Sequence, residues 1–311
     1  MSAMNTQFKL SQQKGFSLIE LMVSLAIGLF LMASVLMIVV SATQSTRVSD
    51  AETEMNEEGV IALSLLQQQI RLAGYSQTVA DTDAINKNFV GTSIRGCDKG
   101  FADAGVAFTS LTCNTAGDNN SAIAIRYEAD KINTTEISSK ASNCQMNGIT
   151  ADSTSAVAAK PDFALADNRY YVRSSGTDSG RPELSCRGAT SKSTYDAVQP
   201  LIENVEQLKF TYGVVATSDP ADNQIVTYMT ATEIDDNYAA KPLVERWSRV
   251  ASIKICLVMR SAETARDNSA SGQVYKDCDG ASQTSTDGYL RRAYISTAQL
   301  RNKASVPLEK L

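Results

Sequence analysis

KGFSLIELMVSLAIGLFLMASVLMIVV, residues 14–40, is the most apolar stretch of the chain. From Leu21 to Val40 it holds twenty residues without a charge, enough for one helix to cross a hydrocarbon core of about 30 Å. Lys9 and Lys14 precede it without any acidic residue, so we expect the N-terminus to stay in the cytoplasm and the bulk of the chain to lie outside. A cleaved secretory signal is the alternative, although its apolar core usually has only about 7 to 15 residues.

A single carboxylate interrupts this apolar stretch. Glu20 lies where an ionised side chain costs on the order of 2.5 to 3.5 kcal/mol unless it finds a partner. Two interpretations stay open. Glu20 either lies in the headgroup layer beside Lys14 and water, or receives its counter-charge from another chain.

The residues around Glu20 form a recognisable motif. KGFSLIEL, residues 14–21, resembles the class III signal of type IV prepilins and pseudopilins, in which a short basic leader is followed by Gly, Phe, three residues and Glu. The resemblance implies that a prepilin peptidase removes a leader, residues 1–15, by cutting after Gly15, and that Phe16 is then N-methylated. It also implies that Glu20 pairs with the new amine of a neighbouring subunit and sets the register of assembly.

The helical pattern continues beyond the membrane segment. Apolar or small residues recur at spacings of three and four, which predicts one buried helix face. These residues are Val48, Ala51, Met55, Gly59, Ala62, Leu66, Ile70 and Ala73. Several of them are small, which favours close packing against a sheet over a coiled coil. We therefore predict a long helix within residues 16–75, transmembrane in 16–40 and ending near Gly74.

Residues 76–311 are predicted to form an extracytoplasmic β-rich domain. Six segments have strand character: Ala122–Tyr127, Arg169–Arg173, Gln207–Val215, Ile225–Thr230, Val250–Met259 and Leu290–Thr297. Intervals rich in Ser, Asn, Asp and Gly are interpreted as long loops: 76–121, 128–160, 174–197 and 262–288. Strands that follow one long helix predict an α+β fold with the helix packed on an antiparallel sheet.

Four further stretches resemble a narrower group. Residues 71–75, 200–213, 247–260 and 291–302 are similar to the PilW minor pilins of type IV pili. The J-type pseudopilins of type II secretion share the prepilin signal and a Val-Glu strand motif, so they remain the alternative. Residues 76–198 and 214–245 resemble no family.

Six cysteines lie in the part of the chain predicted to be outside the membrane: Cys97, Cys113, Cys144, Cys186, Cys256 and Cys278. An even number in an oxidising compartment predicts up to three disulfides in a domain with long loops. Sequential pairing joins the cysteines that are closest in the chain, and the other connectivities stay open. A metal site is disfavoured, because the sequence has no CxxC pair and no histidine.

Composition argues against catalysis and nucleic-acid binding. The absence of histidine excludes Ser/His/Asp and Cys/His nucleophiles, and no GxGxxG, Walker A or GxSxG motif is present. Acidic pairs such as Asp277 and Asp279 do not follow the calcium-loop spacing and are interpreted as turns. A net charge of −5 argues against direct nucleic-acid binding. We expect no enzyme activity, no cofactor and no metal, with a membrane-anchored enzyme as the minor alternative.

Together these resemblances imply a minor pilin that primes pilus assembly within a tip-located minor-pilin complex. The implied activities are twitching motility, adhesion and DNA uptake. The implied partners are the prepilin peptidase, other minor pilins, the major pilin and a large tip adhesin. The chain would lie first in the inner membrane, with a periplasmic domain, and later in the extracellular pilus.

Overall fold

A computed structural model describes residues 15–80, 85–117, 119–157, 160–174, 180–219, 222–265 and 272–302. Apart from Gly15, the predicted leader lies outside the described residues. The chain forms two compact units, Met1–Asp50 and Ala51–Leu311.

The first element is the long helix α1, Leu18–Leu72. By length and composition it can cross a membrane. The helix ends where Gly74 adopts a positive φ of 73°, a conformation that favours glycine. The Gly74 backbone N–H then donates to the carbonyl of Arg126 at 2.9 Å, so the chain leaves the helix directly onto a strand.

The described residues also contain sixteen strands, two short helices and one 3₁₀ turn. The strands are β1 Thr78–Ala80, β2 Ile85–Lys87, β3 Ile94–Cys97, β4 Ala122–Ala129, β5 Glu136–Ile137, β6 Lys140–Ala141, β7 Ala151–Ser153, β8 Phe163–Arg173, β9 Glu183–Gly188, β10 Gln199–Glu203, β11 Val205–Val215, β12 Ile225–Met229, β13 Val250–Arg260, β14 Gln273–Lys276, β15 Ser282–Ser285 and β16 Arg291–Gln299. The helices are α2 Ala231–Asn237 and α3 Leu243–Ser248, and the 3₁₀ turn is Phe108–Ser110.

Two antiparallel sheets form the body of the second unit. The first has the strand order β12-β11-β13-β16, and the second has the order β10-β9-β8-β4-β3 with β7 paired to β8. Three two-stranded hairpins, β1-β2, β5-β6 and β14-β15, complete the sheet structure of the described residues. Trp247 of α3 packs edge-on against Tyr212 of β11, with the ring centroids 5.1 Å apart.

The predicted α+β class, with a long helix and antiparallel strands, is confirmed. All six predicted strands are present, although β8 begins at Phe163, well before the predicted start at Arg169. The interpretation of 174–197 as a loop is wrong, because β9 lies within it and pairs with β8 and β10. Short strands also lie within the other three predicted loops. The structure has two main sheets, where the sequence indicated only one.

Candidate assembly site

The predicted cleavage junction lies immediately before α1. Gly15, Phe16 and Ser17 precede the helix, and the Leu21 backbone N–H makes an early helical bond to the Ser17 carbonyl at 3.1 Å. Phe16 is 82% exposed, so nothing within the described residues covers it. The predicted junction therefore lies in a short non-helical segment immediately before α1.

Glu20 lies in the first turn of α1 and is exposed. None of the ion pairs between described residues includes it. Because Lys14 lies outside the described residues, both interpretations of Glu20 remain open. Phe16 is four residues before Glu20, about one helical turn.

The surface around Glu20 is apolar along the first unit. Large side chains from Phe16 to Val40, including Phe30 and Met37, are more than half exposed. The Ser24, Ser34 and Thr43 hydroxyls donate to backbone carbonyls of the preceding helical turn at 2.7 to 2.8 Å. With their polar groups satisfied inside the helix, these residues suit either lipid or the helices of neighbouring subunits.

In the second unit, the buried face of α1 contacts β16 at Gly59. Met55, Gly59, Ala62, Leu66 and Ile70 form the buried face, as the periodicity of the sequence predicts. A Cβ atom at Gly59 would lie 2.9 Å from three ring carbons of Tyr294, so the ring occupies the space that a side chain would need.

Polar contacts flank this packing. The Tyr294 hydroxyl donates to Asn56 Oδ1 at 2.6 Å, and Arg292 Nη1 donates to the same oxygen at 2.9 Å. The Gln67 amide donates to the Ser296 hydroxyl farther along β16. These bonds fix which turn of the helix faces which residue of the strand.

Outside its buried face, α1 carries exposed apolar residues, and its half-buried Glu58 lies near Asn204 and two further acids. Val60 and Ile61 are 61% and 58% exposed, so they are available to a neighbouring chain. Burial raises the pKa of Glu58, a hydrogen bond from Asn204 opposes the rise, and the charges of Glu54 and Glu203 add to it.

Three disulfides connect the loops to the sheets. The structure pairs Cys97 with Cys113, Cys144 with Cys186 and Cys256 with Cys278, which is the sequential arrangement. The first two bridges attach irregular segments to β3 and β9 of the second sheet. The third attaches the β14-β15 hairpin to β13 of the first sheet.

In the acidic turn near Cys278, the carboxylate of Asp277 is already hydrogen-bonded to groups of the same turn and hairpin. Asp277 accepts hydrogen bonds from the Asp279 and Ala281 N–H groups and from the Gln283 amide at 2.7 to 3.0 Å. Within the described ranges, no group of three or more Cys, Asp or Glu side chains could hold a metal ion.

The contact between Gly59 and Tyr294 was not predicted from the sequence, because a single sequence does not show which strand covers a helix face. A second unpredicted feature is Arg126, a cation in the otherwise buried strand β4. Its position within an apolar run was the available signal, since arginine is rarely buried without a partner.

Comparisons with known proteins agree with both resemblances. The model of the family described as "Type IV Pilus-assembly protein W" matches residues 169–302, and the model of the prokaryotic N-terminal methylation motif matches residues 10–36. The comparison with curated proteins finds no match. A type IV-like pilin from Thermus thermophilus is similar in structure at 9% identity and a TM-score of 0.39, over 80% of this chain and 98% of that one.

Proposed function

We propose that this chain, a PilW-like type IV pilin, acts as a minor pilin that primes pilus assembly. Its role is structural rather than enzymatic. The observation that carries the proposal is the exposed apolar helix with one carboxylate, Glu20, one turn after the Gly15-Phe16 junction. A membrane anchor alone needs neither that junction nor a carboxylate at that depth.

The proposed life cycle begins in the inner membrane. The N-terminus lies in the cytoplasm, the second unit lies in the periplasm, and prepilin peptidase cuts after Gly15 before Phe16 is methylated. Glu20 then pairs with the amine of a neighbouring subunit, which relieves the cost of a buried carboxylate and fixes the axial position of the new subunit.

We propose that the second unit determines which pilins and other proteins lie next to this chain in the pilus. It would join other minor pilins in a complex at the pilus tip, contact the major pilin below it and hold a large adhesin. Twitching motility, adhesion and DNA uptake depend on the pilus that this complex starts. Its three disulfides suit a domain exposed outside the cell.

The test is deletion of the gene, with surface piliation, twitching and release of secreted enzymes measured in parallel. We expect loss of pili and of twitching with normal secretion, restored by the wild-type chain. Complementation with Glu20→Val should fail to restore piliation. The matched control Glu57→Gln, an exposed position farther along α1, should restore it.

Normal piliation in the deletion strain would contradict the proposal. If secretion stops while pili remain, the chain is instead a J-type pseudopilin. Mass spectrometry of the mature N-terminus tests the first step separately, because it should find methylated Phe16. An intact Met1 or a cut after Val40 would rule out the pilin assignment.

A further inference from the structure

The second unit contains a cavity of about 350 Å³ with a cationic residue in its wall. Its lining includes the aromatic rings of Phe89, Phe108 and Phe163, all of them buried. Arg126 of β4 lines the same cavity, and Lys192 lies at the exposed rim. Small-molecule sites commonly combine this size, an apolar lining and a few polar groups.

Arg126 has no salt-bridge partner among the described residues. Its Nε atom makes no hydrogen bond. The guanidinium carbon lies 4.5 Å from the ring centroid of Phe108 and 5.2 Å from that of Phe89. Cation–π contacts of this kind hold the guanidinium in place but do not neutralise its charge. Burial also lowers the pKa of Arg126, a sign that the cation is poorly solvated.

The nearest acids are already engaged elsewhere. Asp167 is directly opposite Arg126 across the β4-β8 pair, but it accepts two bonds from Arg169 at 3.1 and 3.2 Å and one from the Tyr195 hydroxyl at 2.7 Å. Glu128, two residues along β4, accepts bonds from Ser76, the Gln77 N–H and the Asn88 amide at 2.7 to 2.9 Å. The charge of Asp167 opposes part of the lowering of the Arg126 pKa, but neither carboxylate forms an ion pair with Arg126 among the described residues.

We infer that this cavity binds an organic carboxylate, with the anionic group at Arg126 and a compact apolar body among the phenylalanine rings. The planar guanidinium fork matches a carboxylate. Asp167 also lines the cavity, and its negative charge repels a dianion more than a monoanion, so a single negative charge fits better than phosphate. The carboxylate belongs either to a free small molecule or to the C-terminus of a partner chain.

The test uses the full chain in detergent micelles, with 4-fluorobenzoate as the probe and ¹⁹F NMR as the readout. The neutral isostere 4-fluorobenzamide and protein-free micelles are the controls for apolar partitioning. We expect saturable binding of the benzoate, binding of the amide at least about tenfold weaker, and no displacement by inorganic phosphate. Displacement by N-acetylphenylalanine would show that the site accepts a C-terminal residue with its amide, and its failure would restrict the ligand to a free carboxylate that is not a chain end.

Arg126→Met should weaken benzoate binding at least about tenfold without lowering the unfolding temperature, because it removes an uncompensated buried charge. Arg301→Gln, an equal charge change at an exposed position, should leave binding unchanged. If Arg126→Met does not fold, Ala156→Trp blocks the cavity from its exposed mouth and should abolish binding. Equal affinity for benzoate and benzamide, full affinity in Ala156→Trp, or no saturation by about 10 mM would overturn the inference.

Discussion

The ring of Tyr294 on β16 lies against the backbone of Gly59 on α1, where a Cβ atom would be 2.9 Å from three of its carbons. The same tyrosine bonds to Asn56, one turn earlier on the helix, at 2.6 Å. Glycine costs a helix about 1 kcal/mol relative to alanine. In this protein that cost is offset by close contact between the helix and the edge strand of the first sheet.

A double-mutant cycle tests this relationship. In the wild-type background, Gly59→Ala should give no gain in the free energy of unfolding, because the new methyl group displaces the Tyr294 ring. In the Tyr294→Ala background, the same change should stabilise by about 1 kcal/mol. Urea unfolding of the full chain can be followed by the fluorescence of Trp247, the single tryptophan, which is buried.

The control for this cycle is Ser64→Ala, at an exposed position of the same helix. Its effect should be small and equal in both backgrounds. A gain from Gly59→Ala that does not depend on residue 294 would show that the ring does not limit this position.

Glu58 should make stability depend on pH. Burial raises its pKa in the folded state, so the folded protein binds the proton more tightly than the unfolded chain. Glu58 therefore adds stability when protonated, below the unfolded pKa of about 4.3, and this stability is lost as pH rises through the folded pKa. Glu58→Gln should raise the unfolding temperature at pH 7, and the difference from wild type should shrink toward pH 4.

The neighbouring substitution Glu57→Gln, on the exposed side of the helix, is the control for helix propensity and net charge. It should change the unfolding temperature at pH 7 by less than Glu58→Gln does. Destabilisation by Glu58→Gln at neutral pH would mean that the bond to Asn204 outweighs the cost of burial.

The helix and five of the six strands were predictable because their apolar residues recur on one face or form a continuous run. Strand β12 has no buried residue, and its β-branched and aromatic residues made it predictable. Strand β9 was missed for a physical reason. All but one of its residues, Glu183–Gly188, are buried, so it shows no alternation, and it contains Glu, Ser and Arg in place of β-branched residues. In the structure β9 is a strand because it pairs with β8 and β10. A single sequence does not show which segments pair.

The N-terminal part of the candidate site was readable from the sequence because its signal is local. Gly15, Phe16 and Glu20 lie within six residues of one another. The contacts of Tyr294 with Asn56 join residues 238 positions apart, and the cavity at Arg126 brings together six separate segments. Such contacts depend on the packing of the whole second unit, which periodicity does not reveal.

The disulfides should stabilise the second unit according to the length of chain they close. Cys144–Cys186 spans 42 residues and Cys97–Cys113 spans 16. Loop-closure entropy predicts losses of about 4 and about 3 kcal/mol when each pair is replaced by alanine. Urea unfolding of the two double variants measures this, with the oxidised wild-type chain, which keeps all three disulfides, as reference. A larger loss for the shorter loop would show that local packing outweighs the entropy of the unfolded chain.

Arg291 provides the last test, because it joins two strands and a turn. Its guanidinium makes two bonds to Glu206 at 2.6 and 2.8 Å and two to Asp287 at 2.7 and 2.8 Å. Arg291→Met leaves Asp287 without an ion-pair partner and leaves Glu206 with Arg260 alone, at 3.7 Å. It should cost about 1 to 3 kcal/mol at pH 7, whereas Arg301→Gln should cost nothing measurable.

The pH profile of Arg291→Met separates charge pairing from packing. The bonds from Arg291 hold the pKa of Asp287 well below its usual range, so this stabilisation is complete above the unfolded pKa of about 3.9 and is lost as pH falls toward the folded value. The deficit of Arg291→Met, measured by urea unfolding, should therefore shrink below about pH 4. A deficit that stays constant down to pH 2 would assign the role of Arg291 to its contact with the Tyr275 ring.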